Sequence, residues 1–327
     1  MPLVRSLLVL NNALRKFNAL LFGCFGRIRQ FCSVKGTGIA IVTPFLKDGT
    51  PDYSTLFNLT EFWISGGVDY LVVCGTTGES VTLSKAEKQE TLSTVVRSAK
   101  GRVPIVYGCG GNNTFAVIEE LKSTDLSGVH SILSVAPYYN KPGQEGIYRH
   151  FMEIGSASPL PVILYNVPGR TGQNMTAETI LKLAVSGTIF SGVKEASGNM
   201  EQIMEILVRK PDSFHLISGD DSLTLPMMAC GASGVISVIA NAFPTEFSTL
   251  VRAALNGDFE MARRIHSRLY PLHTLLFREN SPGGIKSVMK EMDLCDIHVR
   301  LPLVPITEAL SEEIQVCVNQ ILKNVSY

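Results

Sequence analysis

Lys194 has the most chemistry to offer, near the end of Phe190-Ser-Gly-Val-Lys-Glu-Ala-Ser-Gly198. The run is apolar from Ile189 and breaks at Ser197-Gly198, so it reads as a short buried strand with a loop directly behind it. A lysine at such a strand end borders low dielectric, which disfavours an ammonium, and a neutral amine can attack a carbonyl to form a Schiff base. It can equally reach into solvent, as most lysines do. Other polar residues follow apolar runs in the same way: Thr76, Thr77 and Glu79, then Asn112, Tyr138 and Tyr139, Tyr165 and Arg170, Asp220, and Asn241. Lysine with tyrosine suits imine chemistry, because a phenol can shuttle protons to and from a carbinolamine. The Gly75-Thr-Thr-Gly78 turn can offer backbone N–H groups to a carboxylate. Each residue also has a plain structural role open to it. Tyr165 could be a wall tyrosine, Thr76 and Thr77 turn formers, and Arg170 an ion-pair partner of Glu195 or Asp220. No carboxylate pair stands out as in a glycosidase, and no Ser-His-Asp order suggests a hydrolase.

The elements that must position these residues alternate regularly. Apolar runs at 39–42, 70–74, 103–107, 130–135, 161–165, 189–194, 214–217 and 234–238 are each followed by helical spacing or a helix start signal. Ser84-Lys-Ala-Glu87 reads as a capping box, and Thr176 as an N-cap. Eight such units in about 220 residues predict an α/β fold, a (β/α)8 TIM barrel. A doubly wound sheet competes, but no Gly-x-Gly-x-x-Gly follows the first strand. After Pro244 the pattern turns to helices alone, over 246–255, 259–277, 285–292 and 308–322. The expected organisation is a basic extension over 1–36, the barrel over 37–257 and a C-terminal helical region over 258–327. In such a barrel the strand C-termini form the active face, which gathers every candidate above onto one rim.

Composition narrows the class. Lys+Arg and Asp+Glu balance at 29 each, so no global basic field points to nucleic acid. No apolar run is long enough to span a bilayer. The seven cysteines include no Cys-x-x-Cys pair, which suits reduced thiols in a cytoplasmic setting, and the six histidines are scattered, so neither a metal nor a cofactor is expected. Residues 1–36 carry Arg5, Arg15, Lys16, Arg27, Arg29 and Lys35 with no acidic residue. That composition is transit-like and opens an organellar alternative; a poorly ordered extension is the other.

Gly75-Thr-Thr-Gly-Glu79, Tyr165-Asn-Val-Pro-Gly-Arg170 and Gly192-Val-Lys-Glu-Ala-Ser-Gly198 together resemble the dihydrodipicolinate synthase / N-acetylneuraminate lyase family of class I aldolases, in register from about Lys35 onward. The resemblance implies a homotetramer (a dimer of dimers) acting on pyruvate. In it Lys194 forms the Schiff base, and Tyr165 moves protons in a relay with Thr76 and with Tyr139, which reaches across a subunit interface. Thr77 holds the pyruvate carboxylate and Ile236 adds a main-chain contact. Arg170 and the Glu-Ala-Ser after Lys194 resemble the synthase branch, where that arginine receives the carboxylate of L-aspartate 4-semialdehyde. The implied reaction is condensation to 4-hydroxy-tetrahydrodipicolinate in lysine biosynthesis. Another pyruvate-dependent aldolase, such as a neuraminate lyase, and a non-catalytic metabolite-binding barrel are the competing readings. Lysine-inhibited members bind that amino acid at a dimer-interface cleft, which Ser80, Asn112 and Tyr138 match. A glutamate expected there falls on Ala116, and Lys85 or Lys88 replaces a histidine or comparable partner. Feedback inhibition by L-lysine is therefore expected to be weak or absent.

Overall fold

The computed structural model describes residues 34–187 and 189–323, so the basic extension, up to its last three residues, lies outside the described residues. The strands are β1 (Gly36–Ala40), β2 (Tyr70–Val73), β3 (Ile105–Gly108), β4 (Ser131–Val135), β5 (Val162–Asn166), β6 (Phe190–Glu195), β7 (His215–Ser218) and β8 (Gly234–Ser237). They pair in parallel, in chain order, and β8 closes on β1, giving the eight-stranded barrel that the alternation predicts.

Helices wrap it in sequence. α1 (Tyr53–Ser65), α2 (Lys85–Ala99), α3 (Thr114–Ser123) and α4 (Gln144–Ala157) follow the first four strands. The single-turn α5 (Pro168–Thr171), then α6 (Ala177–Val185), α7 (Met200–Arg209), α8 (Thr224–Ala229) and α9 (Pro244–Leu255) complete the shell. α10 (Phe259–Phe277), α11 (Gly283–Glu291) and α12 (Glu308–Lys323) form the C-terminal helical region. Among the described residues no helix is long and apolar enough to cross a membrane.

Side-chain alternation divides the apolar residues into two layers. Tyr70, Val72, Val106, Leu133, Ile163, Tyr165, Ile217 and Ile236 pack together inside the barrel. Leu71, Val73, Ile132, Leu164, Val193, Leu216 and Val235 face the helices. Strands buried on both faces read as continuous apolar runs, which is why they were visible in the sequence. Tyr70 plugs the start of β2 against Gly38, where a Cβ would lie 2.2 Å from its ring, and its hydroxyl donates to Val235 O at 3.1 Å.

Capping follows the expected chemistry. Ser84 and Glu87 form the reciprocal box on α2, and Thr176 caps α6. Asp52, Asn113, Asn199 and Asp258 cap α1, α3, α7 and α10 without having been singled out. β5 and β6 run one residue past the expected ends, through Asn166 and Glu195, because those polar side chains satisfy each other. The short α5 was also not anticipated; Pro168 at its first position starts it and left-handed Gly172 ends it.

His150 on α4 is buried, with Nδ1 2.9 Å from Thr114 Oγ1 on α3 and no partner for Nε2 among the described residues. Burial pushes its pKa down to about 4. The unfolded chain then binds this proton at higher pH than the folded one, so His150 contributes stability at neutral pH that is lost as pH falls from 6.5 toward 4. Urea titrations of wild type and His150→Phe should show wild type losing up to about 3 kcal/mol relative to the variant across that window. Parallel stability curves would refute the assignment.

Candidate active site

The C-terminal ends of the strands open into a cavity of about 500 Å³, whose lining includes Thr76, Tyr138, Tyr165, Arg170 and Lys194. Tyr165 on β5 and Lys194 on β6 are register partners, both facing inward. Lys194 is 5% exposed, and its Nζ lies 4.4 Å from the Tyr165 ring centroid, a cation–π distance that also sets amine beside phenol. Gly219 leaves room for this lysine, since a Cβ there would lie 3.1 Å from Lys194 Cε.

That register depends on a bulge. Val162 pairs with Phe190, but Ile163 pairs with Gly192, so Ser191 is an extra residue in β6. Phe190 faces the helices, and the inserted residue resets the alternation so that Lys194 turns inward.

The turn after β2 is strained at both ends, with non-glycine residues in the left-handed region at Cys74 (φ 57°) and Glu79 (φ 52°). Between them Gly78 N–H donates to Gly75 O at 3.1 Å and Glu79 N–H to Thr76 O at 3.1 Å. Thr43 Oγ1 donates to Gly78 O at 2.7 Å. The N–H groups of Thr76 and Thr77 have no acceptor among the described residues, which suits an anion nest. Thr77 is buried and Thr76 exposed toward the cavity.

Behind β5 and β6 stands a polar cluster. Glu195, fully buried on the outer face, accepts from Asn166 Nδ2 at 3.0 Å, Ser197 N at 2.7 Å and Gln202 Nε2 at 3.3 Å. Asn174 Nδ2 donates to Gln202 Oε1 at 2.8 Å, closing the cluster. Burial raises the Glu195 pKa, and these hydrogen bonds oppose the rise. Arg170, expected as its possible partner, pairs with neither Glu195 nor Asp220 and stays exposed at the cavity wall. Cys74 and Cys109 also line the cavity, but burial pushes the Cys74 thiol up to about 12 and the Cys109 thiol higher still, which leaves them protonated and inert.

The outer cavity holds Ser80, Asn112 and Tyr138, the matches to a regulatory cleft. Ala116 lies on the same wall, and Lys85 is exposed. Lys88, read with Lys85 as the replacement for a histidine or comparable partner, pairs with Glu120 at 3.0 Å, and Tyr107 donates its hydroxyl to the same carboxylate at 2.9 Å. Tyr139 projects from the rim, 87% exposed and left-handed at φ 72°. Ile236 faces the barrel interior on β8.

Three rim candidates serve the scaffold. Asp220 accepts from Ser222 N and Oγ at 2.8 and 2.7 Å. Asn241 donates to Ala40 O and Val238 O and accepts from Val42 N, holding the exit of β1. Glu79 turns away from the cavity to Lys286 on α11, a partner the sequence reading missed. Among the described residues no three His, Cys, Asp or Glu side chains converge as metal ligands.

Sequence and structure comparisons give the family. The profile described as the dihydrodipicolinate synthetase family matches residues 33–321. This chain belongs to that family. A 4-hydroxy-tetrahydrodipicolinate synthase of Parabacteroides distasonis is 50% identical over 289 residues, covering 88% of this chain and 97% of that protein. The crystal structure of dihydrodipicolinate synthase from Aquifex aeolicus superposes with a TM-score of 0.85 at 40% identity, covering 90% of this chain and all of that one (100%). The chloride-inhibited dihydrodipicolinate synthase from Acinetobacter baumannii, solved with pyruvate, gives 0.86 at 38% identity over 88% of this chain and 99% of that one. The family is one of class I aldolase-type lyases.

The polar cluster behind the site makes a stability prediction. Glu195→Leu removes the acceptor that Asn166 Nδ2, Ser197 N and Gln202 Nε2 share. It should cost about 3 kcal/mol in urea unfolding and lower activity by loosening both strands. A loss below about 1 kcal/mol would show that water or neighbours replace the carboxylate.

Proposed function

We propose that the chain condenses pyruvate with L-aspartate 4-semialdehyde, giving 4-hydroxy-tetrahydrodipicolinate in the diaminopimelate route of lysine biosynthesis, through a Schiff base on Lys194. The observation that carries the site assignment is the inward pairing of Lys194 with Tyr165, amine over phenol, beside a turn with free N–H groups.

Lys194 Nζ attacks the keto carbon of pyruvate, and the carbinolamine loses water to give the imine. Tyr165 carries protons in both steps, relayed through the Thr76 hydroxyl and a neighbouring subunit's Tyr139. The free N–H of Thr77 holds the pyruvate carboxylate, and the Ile236 main chain supports the opposite side. Loss of a methyl proton gives the enamine, whose carbon attacks the aldehyde carbon of the semialdehyde. The amino group of that substrate then attacks the imine carbon, closes the ring and expels the Lys194 amine. Arg170, exposed at the cavity wall without an ion pair among the described residues, receives the semialdehyde carboxylate.

Tyr139 supports the tetramer: an 87% exposed tyrosine held left-handed at the rim has little use within one subunit. Val81, also exposed, lines the cavity. A cytoplasmic setting accords with the free cysteines among the described residues. The segment on which an organellar address would rest lies outside them.

Borohydride with pyruvate should add one pyruvyl group to the peptide containing Lys194, with none on Lys194→Ala. Label elsewhere, or none in wild type, removes the mechanism. Tyr165→Phe should retain the adduct after long incubation but lower turnover by about 10² or more.

The regulatory cleft lacks a carboxylate at Ala116, and Glu120 is engaged by Lys88 and Tyr107. Sub-millimolar L-lysine should therefore leave the steady-state rate above half. Half-inhibition in that range would refute the expectation of weak or absent feedback.

A further inference from the structure

Glu79 directly follows the Thr76-Thr77-Gly78 turn, yet its carboxylate points into the C-terminal helical region, away from the cavity. It is 2% exposed, and Lys286 on α11 is fully buried at 0%. Lys286 Nζ donates to Glu79 Oε1 at 2.7 Å and to His298 O at 2.7 Å, and sits 4.4 Å from the Phe45 ring centroid. The second carboxylate oxygen accepts from Arg300 N at 2.9 Å. The Arg300 guanidinium reaches Gly49 O at 2.7 Å, Thr82 O at 2.9 Å and the Glu87 carboxylate, tying the segment after Glu79 to the same anchor.

A buried ion pair is weak evidence for stability, because apolar residues of similar volume often serve as well. Its geometric effect here is specific. Glu79 stands in the left-handed region, which a non-glycine residue keeps only where its surroundings hold it. Its carboxylate is held by two donors from the C-terminal region, while Thr43 fixes the carbonyl of Gly78 just before it. With that end clamped, the turn closes on Gly75 O and Thr76 O and leaves the N–H groups of Thr76 and Thr77 without acceptors.

We propose that Glu79 and Lys286 are a positioning pair for pyruvate: their buried ion pair holds the Thr76–Thr77 turn in the shape that presents its N–H groups to the substrate carboxylate, an assignment that rests on the Schiff-base function above. Neither residue lines the cavity, so both act through the turn. The C-terminal helical region thereby becomes part of the substrate site at one remove.

The test is pyruvate saturation of borohydride-trapped adduct, in wild type, Glu79→Gln/Lys286→Met and Leu310→Ala. The double variant is neutral and keeps the side-chain volumes, so no lone charge is left buried. Leu310→Ala truncates the core of α12 and reports what lost stability alone does. The double variant should need about tenfold more pyruvate for half-saturation, while its KM for aspartate semialdehyde stays within about threefold. Leu310→Ala should lower Tm and leave both values in place. Where the double variant does not accumulate as folded protein, Glu79→Asp gives the same measurement, since it keeps the charge but falls one methylene short of Lys286. An unchanged pyruvate half-saturation, or one that moves only as it does in Leu310→Ala, overturns the proposal. Absence of any adduct in wild type would instead strike the Schiff-base function itself.

Discussion

One extra residue in β6 governs the chemistry of the barrel. Side chains on a strand alternate faces, so inward and outward positions are fixed once pairing is fixed. Continued without a break from Phe190, β6 would turn Lys194 toward the helices and Val193 toward the interior. The bulge at Ser191 exchanges them, and Ile163, Tyr165, Gly192 and Lys194 then share register across β5 and β6. Gly192 accepts this position because a Cβ there would lie 2.6 Å from His215 O on β7. A bulge followed by a residue without a side chain is what lets a lysine stand beside a tyrosine inside an apolar barrel.

Turning Lys194 inward turns Glu195 outward, and that creates a second requirement. A carboxylate between sheet and helices must be hydrogen-bonded or it destabilises the fold. The chain meets this with amides, from Asn166, Ser197 and Gln202, and adds no counter-charge. Glu79 meets the same requirement with a cation, Lys286. The difference fits their places. Glu195 backs the strand that carries Lys194, where another fixed cation would sit close to that amine. Glu79 faces the C-terminal region, where an ammonium bridges two parts of the chain without adding its field to the cavity.

Most of the fold was legible because it is written in local pattern. Doubly buried strands leave uninterrupted apolar runs, and Met200–Arg209 and Phe259–Phe277 begin and end where their side-chain periodicity does. The inner pair Lys194 and Tyr165 could also be read, since each sits at the end of such a run. What was hidden depends on contacts distant in sequence or on a single inserted residue. Nothing in Phe190-Ser-Gly-Val-Lys194 distinguishes a bulged strand from a regular one. Lys286 lies 207 positions from Glu79, in a helix of the C-terminal region whose pattern does not mark the lysine as buried. Lys88 looked like a surplus cation because Glu120 is on the next helix, 32 residues on.

The cavity and its outer cleft are joined by one piece of backbone. Thr76 and Thr77 lie just before Glu79, and Ser80 lies just after it, in the short 3-10 turn Ser80–Thr82. Thr82 donates its hydroxyl to Glu79 O at 2.9 Å and accepts at its own carbonyl from Arg300. The next residues form the α2 capping box, whose Glu87 is held by Arg300 with its carboxyl pushed down to about 2. From Gly75 to Glu87 the chain is therefore pinned at close intervals, with Lys286 and Arg300 as the common anchors. Thr76, Thr77 and Ser80 therefore lie on one clamped loop, and the contacts that hold Glu79 and Thr82 resist displacement of any of the three.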